Sequence, residues 1–380
     1  MKLLLAGTAL AGLFATVARA DLDRTYQPSE LVFEPGNYAA VTAIATAADV
    51  AATGLGAGPL PGGTAYDGIV KEFTSTTLGV KVALSPGLDA ALILDHPFGA
   101  DLAYPGDPAT TEFGGTSALA ETRTLTALAR LRLDGGWSVF GGPKLQTASG
   151  EIALGGLAYG GPPPGGVSSY RVDLAEDMAP GWVAGVAYER PEIALRVALT
   201  YQSEVHHRFA VTERLAGGVI AAGHVESRTP RTIRLDAQTG VAPGTLAFGT
   251  LRWAEWSAFR VDPDAFLSLA GEGLVDLDDT FSATFGLARA ISDRLSASAA
   301  FTWQPGQDDT LVSPLAPTNG QRALTLGARY QLTERTDLGG FLRLTSFGDA
   351  EPETGTPDTA RAATRDAGAA TLGLQLGYRF

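Results

Sequence analysis

The sequence predicts an all-β fold, a transmembrane antiparallel β-barrel of about 14 strands with a short N-terminal plug. Three observations predict it: an export signal at the N-terminus, no later apolar run long enough for a membrane helix, and repeated segments in which apolar and polar residues alternate. Because hydrocarbon offers the backbone no hydrogen-bond partner, only helices and closed barrels cross a membrane. An exported chain with alternating segments therefore favours a barrel.

The N-terminus has the pattern of a cleavable signal peptide. Lys2 precedes an apolar stretch from Leu3 to Val17, and residues 18–20 read Ala-Arg-Ala, the small-x-small pattern of a cleavage site. The apolar stretch is shorter than the roughly 20 residues that a spanning helix needs. We therefore expect residues 1–20 to be removed on export, and the mature chain to begin at Asp21.

Composition excludes several function classes. The chain has no cysteine, which excludes disulfides, cysteine-ligated metals and a cysteine nucleophile. Without the two basic residues of the signal, 26 Lys and Arg face 41 Asp and Glu, a balance of 26 − 41 = −15. This acidic balance argues against nucleic acid as a partner. No linker divides the remaining 360 residues, so we expect one closed sheet over residues 37–380.

Alternation is clearest at the C-terminus, where every second residue from Leu372 to Phe380 is apolar and the others are small or polar. The same pattern recurs over residues 193–201 and 295–303. Segments of this kind predict fourteen strands, near 37–50, 72–85, 87–95, 115–133, 136–150, 180–190, 192–213, 223–238, 244–260, 274–291, 294–304, 320–332, 335–347 and 365–380.

Connection lengths indicate the membrane. Tight turns such as Ser85-Pro86-Gly87 alternate with long segments such as 96–114 and 151–179. Short turns on one side and long loops on the other are the signature of outer-membrane barrels. A soluble β-sandwich is the alternative fold, but its strands recur every 8 to 12 residues or so and its loops need not alternate in length. The prediction is therefore the bacterial outer membrane, with its lipid and lipopolysaccharide as surroundings.

The last strand ends on Phe380, two residues after Tyr378. Aromatic residues at a strand end are typical of the girdle at a membrane interface. A C-terminal Phe in this position also resembles the signal that the outer-membrane assembly machinery reads. The assembly machinery is therefore an expected partner through Phe380.

Three segments resemble the outer-membrane family typified by the FadL long-chain fatty acid transporter. Residues 251–259, Leu-Arg-Trp-Ala-Glu-Trp-Ser-Ala-Phe, are similar to the family's W-x-x-W-S-x-F strand. Gly181-Trp182 followed by the strand that ends at residues 199–205 is similar to a family hairpin, and Asp278 to Leu287 is similar to the strand after the W-x-x-W motif. Order and spacing agree over residues 180–380.

The resemblance implies a fourteen-stranded barrel, an N-terminal plug and passive uptake of fatty acids or other hydrophobic compounds. It places the plug at residues 21–36 and the barrel at residues 37–380. One feature departs from the family pattern, because an Asn-Pro-Ala motif is usual in the plug and this chain reads Glu34-Pro35-Gly36-Asn37. We therefore expect a shorter plug.

Candidate substrate-binding residues combine aromatic and cationic side chains near the expected channel. Trp253 and Trp256 are three positions apart and so face opposite sides of a strand, which places at least one of them inside. Arg196 would cost about 2 to 4 kcal/mol on the lipid face and is therefore expected in the lumen, where it pairs with acidic side chains or holds a ligand carboxylate. The full set is Phe33, Tyr38, Phe140, Arg196, Trp253 and Trp256.

Two other functions remain open on the sequence: a water-filled general porin for small polar solutes, and a structural or adhesive barrel. An enzyme is not expected, because no G-x-S-x-G motif is present for a serine nucleophile. His206 and His207 are adjacent on a strand and point to opposite faces, so they do not predict a metal site. No cofactor and no metal are expected.

Overall fold

A computed structural model describes residues 22–25, 29–161, 165–307, 309–355 and 357–380 of the chain. The signal peptide expected at residues 1–20 lies outside the described residues. None of the helices in the described ranges is long and apolar enough to cross a membrane. The longest of them, α1, covers only Asp264–Ala270.

The described chain forms a closed antiparallel barrel of fourteen strands, which confirms the predicted fold class. Its strands, numbered here in chain order, are β1 (Tyr38–Asp49), β2 (Phe73–Ser85), β3 (Leu88–Asp95 and Gly99–Ala103), β4 (Ser117–Arg132), β5 (Trp137–Leu154), β6 (Tyr170–Arg190), β7 (Leu195–Gln202 and Val205–Leu215), β8 (Gly218–Thr229 and Thr232–Ala242), β9 (Thr245–Ala254), β10 (Thr280–Ala290), β11 (Leu295–Gln304), β12 (Asn319–Gln331), β13 (Thr336–Gly348) and β14 (Gly368–Arg379). Each pairs with the next, and β1 pairs with both β2 and β14.

The two ends of the barrel differ in their connections. At one end, called the turn end here, the strands are joined by two to four residues, as at 86–87 and 243–244. At the other, the loop end, segments such as 255–279 and 349–367 join them, with a single short connection between β7 and β8 at 216–217. The alternation predicted from the sequence is therefore present in the structure.

The outer wall carries an apolar band between two sets of aromatic side chains. On β14 the outward residues Leu372, Leu374 and Leu376 are about half exposed, as lipid-facing side chains are. Tyr378 and Phe380 stack with their ring centroids 6.4 Å apart at the turn end. Towards the loop end, the ring centroids of Trp182 and Tyr201 are 5.0 Å apart. These aromatic pairs are placed as interfacial girdles are.

Four neighbouring strands, β5 to β8, continue beyond the aromatic set nearest the loop end. Their outward side chains there are polar, for example His206 and Arg208 on β7 and Glu226 on β8. This corrects two predicted boundaries, because residues 151–154 and 170–179 were expected in a loop and belong to β5 and β6. The part of the barrel wall that lies outside the hydrocarbon layer needs no apolar outer face. The alternation of apolar and polar residues that predicts lipid-facing strands is therefore missing there.

Phenylalanine side chains on the inner wall pack on glycines of the neighbouring strand. Phe140 faces Gly185, Phe248 faces Gly286, and Phe341 faces Gly373 in direct cross-strand register. A Cβ built at any of these three glycines would overlap the ring of its partner. The missing side chain of each glycine therefore makes room for a bulky ring inside the barrel.

Strand β3 is interrupted at His96-Pro97-Phe98. Before the interruption β3 pairs with β2 and β4, whereas Gly99–Ala103 pairs with β4 and, through an isolated bridge between Leu102 and Val70, with the segment before β2. Proline cannot donate to a β-ladder, which explains why pairing stops here. The interruption frees backbone groups that the N-terminal segment then uses.

Candidate functional site

The N-terminal segment, defined as residues 22–25 and 29–36, is bound to the inner wall at several heights. The backbone N–H of Gly99 donates to the Leu22 carbonyl over 2.7 Å, and the N–H of Arg24 donates to the Pro97 carbonyl over 2.7 Å. The hydroxyl of Thr25 donates to Asp95 Oδ2 over 2.7 Å. The segment therefore replaces the ladder partners that the interrupted β3 has lost.

Charged pairs hold the same segment across the lumen. Arg252 on β9 donates two hydrogen bonds, of 2.9 and 2.8 Å, to the Asp23 carboxylate, and both side chains are buried. Glu30 pairs with Arg234 on β8. Because a buried charge is costly unless it is paired, these contacts fix the segment in place.

The middle of the segment is a 3-10 helix, Ser29–Phe33, surrounded by inward side chains of the wall. Val32 is fully buried in a cluster that includes Ile93, Leu128 and Val183. The Phe33 ring meets Phe140 edge-on, with centroids 5.3 Å apart. Apolar packing at this level holds the helix against the inner wall formed by β3 to β7.

Two arginines lie over the same phenylalanine. The guanidinium carbons of Arg130 and Arg196 are 4.4 and 4.8 Å from the centroid of the Phe33 ring, within the range of cation–π attraction. Arg196 also donates to Gln238 Oε1 over 3.1 Å. Arg196 therefore faces the lumen, and its guanidinium contacts Phe33 of the N-terminal segment and Gln238 of a neighbouring strand.

A polar network lies below the helix, near the turn end. The Tyr38 hydroxyl donates to Asp337 Oδ1 over 3.2 Å and accepts a hydrogen bond from Arg329 Nη2 over 3.2 Å. Arg379 bonds to both Asp337 and Glu34, over 3.0 and 3.3 Å. The network thus ties Glu34 of the N-terminal segment to β14, and Tyr38 at the start of β1 to β12 and β13.

A cavity of about 550 Å³ lies on the loop-end side of the N-terminal segment. Leu22 and Phe98 lie at its base and Trp256 beside them, and these three side chains form one apolar cluster with Ala254. Trp256 is 1% exposed. Its ring meets those of Phe98 and Phe259 edge-on, with centroid separations of 5.2 and 5.9 Å. A volume of this size with an aromatic base is typical of a site for a small apolar molecule.

His207 and Ser227 are cross-strand partners that line the cavity wall. His207 Nδ1 is 2.9 Å from Asp177 Oδ2, and its Nε2 is 3.2 Å from Gln146 Oε1. Within the described ranges, the Ser227 hydroxyl makes no hydrogen bond, so the histidine does not activate it. The arrangement therefore lacks the nucleophile–base contact of a hydrolase.

The mouth of the cavity is acidic. Eight carboxylates line the cavity among the described residues, and no lysine or arginine does. Burial and the negative charges of Asp276, Asp279 and Asp309 raise the pKa of Asp278. Burial, followed by the charges of Asp358 and Glu272, raises the pKa of Glu353 to about 7. Two of the eight, Glu151 and Asp276, pair with arginines, and the mouth therefore gathers more negative charge than these two cations balance.

The six residues selected from the sequence occupy four places. Trp256 lines the cavity, whereas Phe33 belongs to the helix below it, and Phe140 and Arg196 contact Phe33. Tyr38 belongs to the polar network at the turn end. The structure therefore brings three of these side chains together and puts one of them at the cavity.

Trp253 lies on the outer face of β9, between Ile233 and Phe281 of the adjacent strands, and both of these are exposed. Its neighbours Arg252 and Ala254 point inward and are buried. The expectation that Trp253 contacts a ligand inside the barrel does not fit this position. The alternation did predict opposite faces, but β9 ends at Ala254, and Trp256 reaches the cavity from the 3-10 turn Trp256–Ala258.

Sequence reasoning missed Phe98 and Leu22 at the base of the cavity. Phe98 had a signal, because Pro97 before it argues against an unbroken strand at this point. Leu22 had none, since its position depends on how the N-terminal segment folds back against β3.

Residues 84–380 match the model of the family described as outer membrane protein transport protein (OMPP1/FadL/TodX). The chain belongs to this family. The match confirms the resemblance read from the W-x-x-W strand, and it places the barrel in a family of outer-membrane transport proteins rather than of enzymes. No curated protein matches the sequence significantly.

Solved barrels of the OMPP1/FadL/TodX family share the fold. A Pseudomonas aeruginosa FadL homologue matches with a TM-score of 0.71 at 15% identity, over 93% of both chains. The Pseudomonas putida toluene transporter TodX matches with a TM-score of 0.63 at 12% identity, over 96% of both chains. The Ralstonia pickettii toluene transporter TbuX gives 0.59 at 12% identity, over 91% of this chain and 90% of the other.

Proposed function

We propose that the chain is a channel for the passive uptake of hydrophobic small molecules across the outer membrane. The observation that carries the proposal is the cavity with an apolar base on the loop-end side of the N-terminal segment. A solute enters from the loop end, rests against Trp256 and Phe98, and passes inward when the segment shifts. No step requires catalysis or an energy source, because release from weak sites suffices for down-gradient movement.

Two substrate classes follow from the relatives. One similar structure is described as a FadL homologue, and two others are described as toluene transporters. Long-chain fatty acids, which the sequence motifs suggest, and aromatic hydrocarbons are therefore both candidates for this chain. A neutral aromatic molecule suits the base of the cavity, where Phe98, Trp256 and Phe259 offer ring edges and faces.

The expected division of the chain is part of the proposal. Residues 1–20 are the export signal, residues 21–36 form the plug, and residues 37–380 form the barrel in contact with outer-membrane lipid and lipopolysaccharide. Phe380, exposed at the end of β14, is the residue through which the assembly machinery recognises the strand. Exchange of Phe380 for Ala should then lower the amount of folded protein in the outer membrane without changing the uptake per folded molecule.

The test is uptake into liposomes that contain the purified chain. Labelled toluene and a labelled fatty acid should enter faster than into empty vesicles, and glucose should not. Equal rates with and without protein for both hydrophobic solutes would overturn the proposal. The general porin is the second hypothesis, and it is disfavoured by the paired charges and the apolar cluster that fill the lumen. A large steady ion current in planar bilayers would support it instead.

A further inference from the structure

The cavity combines an apolar base with unbalanced negative charge, and this combination selects among hydrophobic ligands. Three lining carboxylates have partners of their own: Glu151 pairs with Arg171, Asp276 with Arg260 at 2.9 Å, and Asp279 accepts a hydrogen bond from Ser257 at 2.6 Å. Asp278, Asp309 and Asp358 carry no ion pair with Lys or Arg in the structure as described. A negatively charged ligand entering this mouth meets repulsion.

Glu353 is a further acidic side chain at the cavity, and a backbone hydrogen bond from Thr359 compensates its charge only in part. Its Oε2 atom is buried and has no hydrogen-bond partner among the described residues. The pKa of this carboxyl is raised to about 7 by burial, then by Asp358 and Glu272. A buried carboxylate oxygen without a donor is costly, so a ligand that brings a donor or a positive charge gains free energy here.

Unpartnered polar atoms elsewhere in the cavity give an independent sign of a polar ligand group. Ser227 and Thr318 line the cavity and are more than nine-tenths buried, yet the hydroxyl oxygen of each has no partner within the described ranges. Both oxygens can accept hydrogen bonds from an ammonium group. Buried polar groups in proteins are nearly always satisfied, so two open hydroxyls in one cavity point to a ligand that satisfies them.

The aromatic base suits the same ligand. The rings of Trp256 and Phe98 provide apolar surface for a hydrocarbon body, and an indole face also attracts an adjacent cation. Trp256 Nε1 has no acceptor among the described residues either, which leaves a donor available for an oxygen-containing ligand. An anionic head group finds this indole and the Ser227 and Thr318 hydroxyls as neutral donors, but it also meets the negative charge of the lining carboxylates, which an ammonium group does not.

We propose that the cavity takes hydrophobic amines in their protonated form, that is, an apolar body carrying an ammonium group, in preference to fatty-acid anions. The proposal rests on the channel function above and names the substrate class of that site. The carboxylates supply the countercharge, the Ser227 and Thr318 hydroxyls supply acceptors, and the aromatic cluster holds the hydrocarbon. A neutral alcohol of equal length lacks only the charge and should bind with intermediate strength.

The experiment compares three probes with the same hydrocarbon chain: dodecylamine, dodecanol and dodecanoate. Binding of each radiolabelled probe to the full-length chain is measured in nanodiscs of phosphatidylcholine, with the signal of empty nanodiscs subtracted. Near neutral pH and at low salt the amine should bind about 10-fold more tightly than the carboxylate, because clefts of one charge sign concentrate the opposite charge by this order or more. The ratio should fall as salt is added.

Two double variants assign the effect to the cavity. Asp278→Asn with Glu353→Gln should bring the amine and the carboxylate close to equal binding. Asp67→Asn with Glu72→Gln removes the same charge from exposed loop residues that do not line the cavity, and it should leave the ratio unchanged. Glu353→Asp keeps the negative charge and should retain the preference for the amine. It therefore shows whether a loss of preference comes from the lost charge or from misfolding.

The outcomes separate the two proposals. Binding of dodecanoate as tight as that of dodecylamine, or an equal loss of preference in both double variants, would overturn the amine proposal. If none of the three probes binds above empty nanodiscs, and no hydrophobic solute enters liposomes, the channel function itself fails. Binding of all three with the carboxylate strongest would leave the channel intact and reject the amine preference.

Discussion

Arg252 holds Asp23 by two parallel hydrogen bonds, and this buried pair joins β9 to the start of the N-terminal segment. The fork of a guanidinium matches a carboxylate in this geometry, which makes the contact directional as well as strong. Because Asp23 directly follows Leu22, which lines the cavity, the pair fixes the N-terminal segment next to the cavity.

Asp23→Asn should release the N-terminal segment and raise ion conductance through the barrel. It leaves the Arg252 guanidinium buried without its countercharge, a change that costs about 3 to 5 kcal/mol when one partner of a buried pair is removed. Single-channel recording in planar bilayers measures the effect. Arg260→Ala breaks an exposed pair with Asp276 and should leave conductance unchanged, since exposed pairs contribute about 0 to 1 kcal/mol.

Exchanging the two charges provides a second check on the same contact. Asp23→Arg combined with Arg252→Asp restores opposite charges at the same position and should return conductance towards the original level. If Asp23→Asn conducts no more than the unchanged chain, the ion pair does not keep the lumen closed.

Trp256→Ala should weaken binding of an apolar probe by about 10-fold, equivalent to about 1.4 kcal/mol, because it removes the largest side chain at the base of the cavity. Trp253→Ala is the matched control, since Trp253 lies three residues away on the outer face of β9. Binding of radiolabelled dodecanol to the chain in nanodiscs measures both. Equal losses in the two variants would mean that the cavity is not where the probe binds.

The sequence was most informative where strands face lipid. Leu372 to Phe380 had to alternate because hydrocarbon excludes polar groups from the outer face, and β14 lies where the pattern predicted it. The upper part of β6 was missed because Arg171 and Asp173 stand outside hydrocarbon, where polar outward side chains cost nothing. The alternation that predicts a strand from the sequence is therefore caused by contact with lipid and not by the strand conformation itself.

The candidate site was harder to predict than the barrel. Its base depends on long-range contacts between Leu22, Phe98 and Trp256, which come from three distant parts of the chain. Periodicity reports which face of a strand is apolar but not which loops meet above the lumen. The sequence predicted that lumenal arginines pair with acidic side chains, since a buried cation needs a partner. It did not predict that Asp23 is the partner of Arg252.

Gly373→Ala should destabilise the barrel by about 1 to 3 kcal/mol, because the new methyl group overlaps the Phe341 ring and forces it from its position. The heat-induced mobility shift of the folded barrel on a gel measures the change. Gly223→Ala is the control, since a Cβ at Gly223 meets nothing within 4 Å. Adding Phe341→Leu to Gly373→Ala should recover part of the loss, and no recovery would argue against the ring contact as its cause.

A small hairpin in the connection between β13 and β14 pairs the strand Glu351–Thr354 with Thr359–Ala360. Glu353 and Glu351 should give this hairpin two opposite pH dependences. Burial raises the pKa of Glu353 from 4.5 to about 7, so its carboxyl favours the folded hairpin while protonated, and this stabilisation is lost as pH rises from about 4.5 through about 7. Hydrogen bonds from Arg365 and Thr310 lower the pKa of Glu351, so its contribution is present above 4.5 and is lost as pH falls.

Hydrogen exchange over residues 351–360, corrected for the intrinsic dependence of exchange on pH, separates the two contributions. Glu353→Gln should remove the loss of protection that the unchanged chain shows as pH rises through about 7. Glu351→Gln should instead lower protection at neutral pH and have little effect in acid, where Glu351 of the unchanged chain is also neutral. The same pH profile for both variants would contradict the assigned causes, because burial and an arginine partner shift a carboxyl pKa in opposite directions.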